Sequence, residues 1–427
     1  MCSCLRQVVL SLVIPLCFNL VFTTQVSAMP FGIYDPRALA MGGAGVAVAS
    51  SVNAVFYNPA ILSTYSVLKE KAHNQAFSFP ITSIRLSSAL ETLIDQRNIN
   101  YESNITESIN TYNANQGPTT AQAALTEINS LNNILGYANN LLMLDASASL
   151  VVAVPSQYQG GAFFVSHRGV GDGQLNIPAA DIALLNDYQE ALQFAISGEG
   201  DPHNELYTDG NLGNPTGNIS AEANARFAVI TELGIGLSRQ LKVFGSDYSV
   251  GITPKMVQVT TYDYHRTITD NVQDKEGTKD DDWQANLDVG VLKKISARWR
   301  VGLVAKNLIE RRYPSATGED LTISPQWRLG VAHYTPLITY TVDLDLLAND
   351  GVYPGNASQF LLSGMEIKQG LLRYRLGYRH SIDHQGPRED GVFSVGLGLN
   401  GKTLYFDMAY SENQQQRAGS LMLGFHF

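Results

Sequence analysis

Beyond residue 17 the chain has no cysteine: Cys2, Cys4 and Cys17 are its three. That excludes a disulfide framework, a thiol nucleophile and a cysteine-ligated metal from the remainder. No later segment offers the roughly 18 consecutive apolar residues of a membrane-spanning helix. Positive charge is in deficit. With 29 Lys and Arg against 39 Asp and Glu, the formal net charge is −10, which argues against nucleic acid as a partner. No Pro- or Ser-rich linker separates soluble domains, and no G-x-S-x-G elbow marks a hydrolase. No enzyme, cofactor or metal site is expected.

The first apolar stretch follows Arg6 and runs from Val8 to Phe22, interrupted by Pro15 and Asn19, before Val26-Ser27-Ala28. This predicts a secretory signal peptide over residues 1–28, cut before Met29. Leu16 argues against a lipoprotein acylated at Cys17. The chain is then exported, yet has no helical span.

The remaining pattern is alternation. Leu372, Tyr374, Leu376 and Tyr378 oppose Arg373, Arg375, Gly377 and Arg379; Phe393, Val395, Leu397 and Leu399 oppose Ser394, Gly396 and Gly398. Leu404, Phe406, Met408 and Tyr410, and then Leu421, Leu423, Phe425 and Phe427, repeat it. Successive strand side chains point to opposite faces, so each strand has one apolar and one small or polar side. Fourteen such segments are expected, at 73–80, 146–154, 161–168, 222–241, 248–264, 283–295, 298–308, 325–335, 338–347, 359–368, 371–381, 391–399, 403–412 and 419–427. Short connections alternate with long ones (81–145, 169–221, 265–282, 309–324, 348–358, 382–390 and 413–418). An even strand count with that alternation predicts an all-β transmembrane antiparallel barrel of a Gram-negative outer membrane, short turns in the periplasm and long loops outside. Tyr248, Tyr262, Tyr264, Trp283, Trp299, Trp327, Tyr334, Tyr340, Tyr374, Tyr378, Tyr405 and Tyr410 lie mostly near strand ends, as girdle residues do.

Leucine and isoleucine at helical spacing within 81–145 and 169–221 predict amphipathic helices over the outer mouth, either as an apolar landing site or packed on one another. The loop Thr269–Asp282 is acidic; solvation and divalent-cation binding both remain open. Gly396–Thr403 matches the P-loop pattern, but Asn400-Gly401 reads as a type I′ hairpin turn leading into another alternating strand, where no helix N-terminus holds phosphate. His380 and His384 are four apart in a loop without a third ligand. On the lumen parity fall Arg298, Arg300, Arg328, Asp343, Asp345, Arg373, Arg375, Arg379 and Asp407. Buried charges must pair or be hydrated, so they brace a plug or line a polar path.

Phe31 to Ala60 is rich in small residues and ends on Asn58-Pro59-Ala60. It resembles the N-terminal plug of FadL-like outer-membrane proteins, which include long-chain fatty-acid transporters and hydrocarbon channels. The Arg-Ala-x-x-Met-Gly-Gly-Ala opening from Arg37 to Ala44, the segment Gly302–Leu308 and the terminal aromatic strand are similar to the branch called conjugal transfer protein TraF-like. The resemblance implies a fourteen-stranded barrel (73–427, with helical insertions at 81–145 and 169–221) and a periplasmic hatch (29–72) that moves to release a hydrophobic ligand. Gly42, Gly43 and Gly45 fit a closely packed plug, and Asn58, Pro59 and Ala60 a turn that gates or simply shapes it. The expected role is a passive channel for hydrophobic small molecules such as fatty acids or hydrocarbons. The alternative is a non-transport component associated with conjugal transfer or envelope assembly; an enzyme acting on lipid is the third reading. Expected partners are outer-membrane lipid and lipopolysaccharide, a hydrophobic ligand, and the barrel assembly machinery acting on the last strand, which ends at Phe427.

Overall fold

Alternation leaves each strand one face for lipid and one for a lumen, and the sheet satisfies its edge groups by closing on itself. The computed structural model describes residues 29–64, 76–95, 100–136, 141–243, 245–267, 274–279, 282–316, 320–353, 356–382 and 391–426. Fourteen antiparallel strands form the wall: β1 (Ala76–Ser87), β2 (Leu141–Val154), β3 (Gln159–Asn176), β4 (Glu222–Val243), β5 (Ser246–Thr267), β6 (Gln284–Lys294) and β7 (Trp299–Lys306). They continue as β8 (Gln326–Tyr334), β9 (Ile338–Asp345), β10 (Phe360–Gln369), β11 (Leu372–Ser381), β12 (Val392–Asn400), β13 (Leu404–Glu412) and β14 (Gln416–His426). Each pairs with the next, and β14 returns to β1, with Ala76 opposite both His426 and Ala153. Pro80, which has no N–H to donate, lies where the β1 register slips on both sides.

The burial pattern is inside-out. Phe393 is 68% exposed and Leu376 51%, while Asp343 and Asp345 are fully buried. Outward rows of Leu, Val and aromatics form a lipid-facing belt; polar rows face the lumen. Tyr334 and Tyr405 are exceptions to the expected girdle: Tyr405 is buried and Tyr334 hydrogen-bonds the plug, because both fall on lumen rows. Trp299, Tyr340, Tyr374 and Tyr410 point outward.

All fourteen expected strands are present, but several boundaries move. β1 runs to Ser87, so the first insertion begins at 88; β2 and β3 also extend further toward the loops. β14 starts at Gln416, so the expected long loop 413–418 is a three-residue turn closed by Asn413 N–H donating to the Gln416 carbonyl at 3.0 Å. The β12–β13 hairpin forms, but not as a type I′ turn. Neither Asn400 nor Gly401 has positive φ, and the connection spans 401–403 with Gly401 N–H donating to the Leu404 carbonyl. Strand–turn–strand geometry removes the P-loop reading. The signal peptide, His384, Phe427 and residues 269–273 and 280–281 of the acidic loop lie outside the described residues, whereas Asp274–Lys279 of that loop forms a short strand paired with residues 260–265 of β5.

At the long-loop end, helices α1 (Ser88–Asp95), α2 (Tyr101–Ala114), α3 (Pro118–Leu135) and α4 (Ala179–Ser197) form a cap. Ile105, Ile109, Ile128, Leu131, Leu135, Leu185 and Leu192 meet in one buried cluster that reaches Leu142 and Leu175 of the wall. The apolar stripes are spent on mutual packing, so the second of the two expectations for these helices holds. On the cap surface, His203 is gripped by Glu205 (2.8 Å) and Glu190 (3.2 Å). Those hydrogen bonds, Glu205 first, raise its pKa from 6.5 to about 9.

Two predictions follow from the wall and the cap. A Cβ at Gly377 would collide with the backbone of Gly42 and Met41, whereas one at Gly419 meets nothing within 4 Å. Gly377→Val should cost about 1–3 kcal/mol by overpacking, lowering the melting temperature and exposing residues 29–64 to protease, while Gly419→Ala changes neither. Because the folded-state pKa of His203 is raised, its stabilising contribution is complete below about pH 6.5 and disappears as pH rises through about 9. An NMR titration of the ring should show the elevated pKa, falling toward the ordinary value in Glu205→Gln.

Candidate functional site

The lumen is filled by the chain's own residues 29–64, nearly all buried. This hatch is mostly irregular, so its backbone groups need partners that no ladder supplies. Two motifs shape it. Asp35 caps the short helix Pro36–Ala40 by accepting from Ala38 N–H at 3.1 Å, and Gly42 (φ 69°) and Gly43 (φ 93°) turn the chain out of it. Only glycine enters that left-handed region without strain. Asn58 caps the 3-10 turn Pro59–Ser63, accepting from Ala60 N–H at 3.1 Å, and its amide donates to the carbonyls of Val46 (3.0 Å) and Val291 (3.4 Å). The Asn-Pro-Ala box therefore ties two parts of the hatch to each other and to β6.

The wall makes room for this. Gly251, Gly290, Gly302, Gly330, Gly364 and Gly377 each sit so near the hatch that a Cβ would fall closer than 3.0 Å to Ala60, Asn58, Val46, Val46, Met41 and Gly42 respectively. They are in register: Gly251 opposes Gly290, Gly302 opposes Gly330, and Gly364 opposes Gly377. On β9, between the last two pairs, the row holds Asp343, opposite Gly330. Its carboxylate accepts from Gly45 N–H (2.7 Å) and Val46 N–H (2.8 Å). A Cβ at Gly43 would meet Ile33 and Leu362, and one at Gly45 would run into the Tyr57 ring.

Other lumen side chains serve hatch carbonyls. Lys306 donates to Phe56 (3.0 Å), Arg168 to Pro30 (3.2 Å), Tyr334 to Ala47 (2.9 Å), Ser238 to Ala60 (3.1 Å) and Gln240 to Ser63 (2.9 Å). These cations are themselves paired or share counter-ions. Arg168 and Arg85 share Asp145, Lys255 bridges Glu232 and Asp288, and Lys306 shares Asp288 at 3.9 Å. Arg328 holds Asp345 at 2.6 Å and lies 4.1 Å over the Phe31 ring. Arg375 contacts Glu366 and Asp407, while Arg37 of the hatch reaches the same Glu366 at 2.9 Å. The space left is small. A cavity of about 40 Å³ lies beside Arg85, Arg168, Asp172 and Phe360, and one of about 20 Å³ beside Glu232, Lys255 and Lys306. Polar rooms of that size hold a few waters.

The structure thus brings Arg328, Asp343, Asp345, Arg375 and Asp407 together around the hatch, and sets buried Arg379 against Gln416 (3.0 Å) and the Phe360 ring. Arg300 and Arg373 lie at the short-turn mouth, Arg300 4.5 Å over Tyr334. Arg298 is a correction: it is exposed in the 295–298 turn, one residue before β7 begins, so lumen parity never applies to it. His380 is exposed and stacks near Tyr378. No grouping of His, Asp and Glu suited to a metal occurs among the described residues. Sequence reading missed Arg85, Asp145, Arg168, Glu232, Lys255, Asp288, Lys306 and Glu366, although the same two-residue parity marks them in β1–β7 and β10. Arg37 carried no such signal, because it lies on no strand.

Comparison with known proteins places this architecture. The toluene transporter TbuX of Ralstonia pickettii has the same fold at 10% identity, with a TM-score of 0.50 over 93% of this chain and 99% of that one. The CymD monoaromatic hydrocarbon channel aligns at 8% identity and TM-score 0.49, covering 94% and 99%. The toluene transporter TodX of Pseudomonas putida aligns at 9% and 0.43, covering 94% and 98%. No curated protein matches the chain. The family model described as "F plasmid transfer operon, TraF, protein" matches residues 55–345, more than half of the chain, and the chain belongs to that family.

Proposed function

We propose that this chain is a Gram-negative outer-membrane channel for hydrophobic small molecules, such as fatty acids or hydrocarbons, held closed by its N-terminal hatch. The observation that carries the reading is the hatch itself: a buried segment fills a lipid-facing barrel whose fold is also that of a protein described as a toluene transporter. A barrel serving only as a membrane anchor has no need of a lumen built around a separable plug. The short-turn end, where β1 begins and β14 finishes, is the periplasmic side, with lipopolysaccharide around the long-loop rim. Barrel assembly machinery would engage β14.

In the closed form the two cavities described beside the hatch admit only a few waters, and passage requires the hatch to shift. Its attachments permit that, since they are mostly side-chain contacts, with Ser156 N–H donating to the Leu62 carbonyl, rather than a strand ladder. Asp343 is the attachment with two hatch amides on one carboxylate. Asp343→Ala leaves both amides without their acceptor, at about 1–3 kcal/mol for each unsatisfied group. In a Gram-negative host lacking its own fatty-acid channel, the native chain should speed uptake of radiolabelled oleate or toluene, and Asp343→Ala should raise that rate several-fold further. Uptake equal to that of cells without the chain, with envelope proteins recovered in stable complex, would instead favour the conjugal-transfer or envelope-assembly role.

A further inference from the structure

Four lumen-facing cations at the short-turn mouth have no carboxylate partner among the described residues: Lys294, Arg300, Lys368 and Arg373. Their placement opposes ordinary pairing. Lys294 lies directly opposite Arg300 across β6–β7, and Lys368 directly opposite Arg373 across β10–β11. Like charges directly opposed on one face of a sheet are destabilising. The neighbouring carboxylate, Glu366, is already shared by Arg37 and Arg375. Arg300 and Lys368 converge on one ring, at 4.5 Å and 6.0 Å from the centre of Tyr334. Arg373 turns its guanidinium onto the carbonyls of Gly370 (2.7 Å) and Leu372 (2.8 Å). Between Tyr334 and Glu366 in register stands Thr339, fully buried, with a hydroxyl that has no hydrogen-bond partner. Across β7–β11 this leaves a half-buried, positively charged bowl lined by Arg300, Lys368 and Arg373 at the short-turn mouth, with Lys294 exposed at its rim.

We propose that this bowl binds an oxyanion, a carboxylate or a phosphate, between Arg300, Lys368 and Arg373. Charge-assisted donors in a partly desolvated concavity are what such a group requires, and the planar guanidinium forks suit it geometrically. The bound charge offsets the two opposed cation pairs that the sheet otherwise tolerates at a cost. The site is independent of whether the barrel conducts, because it faces the lumen mouth with the hatch in place. Two sources carry the same chemistry: the head group of an amphiphile, or a free oxyanion in the surrounding water.

Calorimetric titration of the purified mature chain in a neutral maltoside detergent separates them, using octanoate, inorganic phosphate and octanol. Binding of octanoate or phosphate near one per chain is expected, weakened as salt is raised and at least tenfold weaker in Arg300→Gln/Lys368→Gln. Octanoate alone binding identifies an amphiphile head group; phosphate binding equally well identifies a free oxyanion. Should the double variant not be recovered as a barrel, Lys368→Met carries the comparison. Absence of binding by both anions, octanol binding as tightly as octanoate, or unchanged affinity in the variant would overturn the site.

Discussion

An irregular segment enclosed in a barrel must find a partner for nearly every backbone group it brings with it, and the rest of the lumen is arranged around that demand. Helices and sheets answer it internally; the hatch, with its short helices and turns, does not. The wall answers it from outside. Asp343 takes two amides, Lys306, Arg168, Tyr334, Ser238 and Gln240 take carbonyls, and Asn58 bridges hatch to hatch and hatch to wall. Such contacts need the two backbones close together, which is why the facing row is glycine from β5 to β8 and again on β10 and β11, with Asp343 between.

The same demand explains the lumen's charge. A lysine or arginine that donates to a buried carbonyl brings a charge with it, and removing one partner of a buried pair is strongly destabilising. Each such cation around the hatch is therefore matched: Arg168 with Asp145, Lys306 with Asp288 alongside Lys255 and Glu232, Arg37 with Glu366. Pairing stops at the short-turn mouth, where Lys294, Arg300, Lys368 and Arg373 face one another without carboxylates among the described residues. The contrast is one of location, since the same strands β6, β7, β10 and β11 carry matched charges deeper in.

The barrel was legible in sequence because its signal is local and repeated. Two-residue parity assigns Leu397 outward and Gly396 inward without knowledge of any partner strand, and fourteen repetitions outweigh an error in any one. Boundaries were less legible where the pattern is short or polar: Ile84 and Leu86 alternate with Ser83, Arg85 and Ser87 in β1 for only a few residues before a helix, and Gln416 and Arg417 begin β14 with no apolar residue to mark them. Arg298 was misplaced because parity was carried one residue past the start of β7 into a turn. The glycines of the wall were readable as lumen-facing, but not as a docking row, since that depends on what lies opposite. Arg37 was unreadable for the same reason: its partner Glu366 is 329 residues away, and nothing periodic connects them.

The two halves of the hatch are held by different physics. Tyr34, Val55, Phe56, Tyr57, Ile61 and Leu62 belong to an apolar cluster that includes Phe164 and Val151 of the wall, with Tyr34 stacked on Phe56 at 4.6 Å. Exposing that surface to water costs about 25 cal/mol for each Å². The Gly42–Val48 stretch instead sits in small satellite clusters and is fixed chiefly by Asp343, Tyr334 and Asn58. Exchanging a protein hydrogen bond for one to water changes stability by only about 0.5–1.5 kcal/mol, provided water can reach the freed groups. A polar lumen meets that condition and an apolar one would not. The charged rows that grip the hatch are thus also what keep the cost of loosening its Gly42–Val48 half low, while the aromatic half anchors the segment inside the barrel.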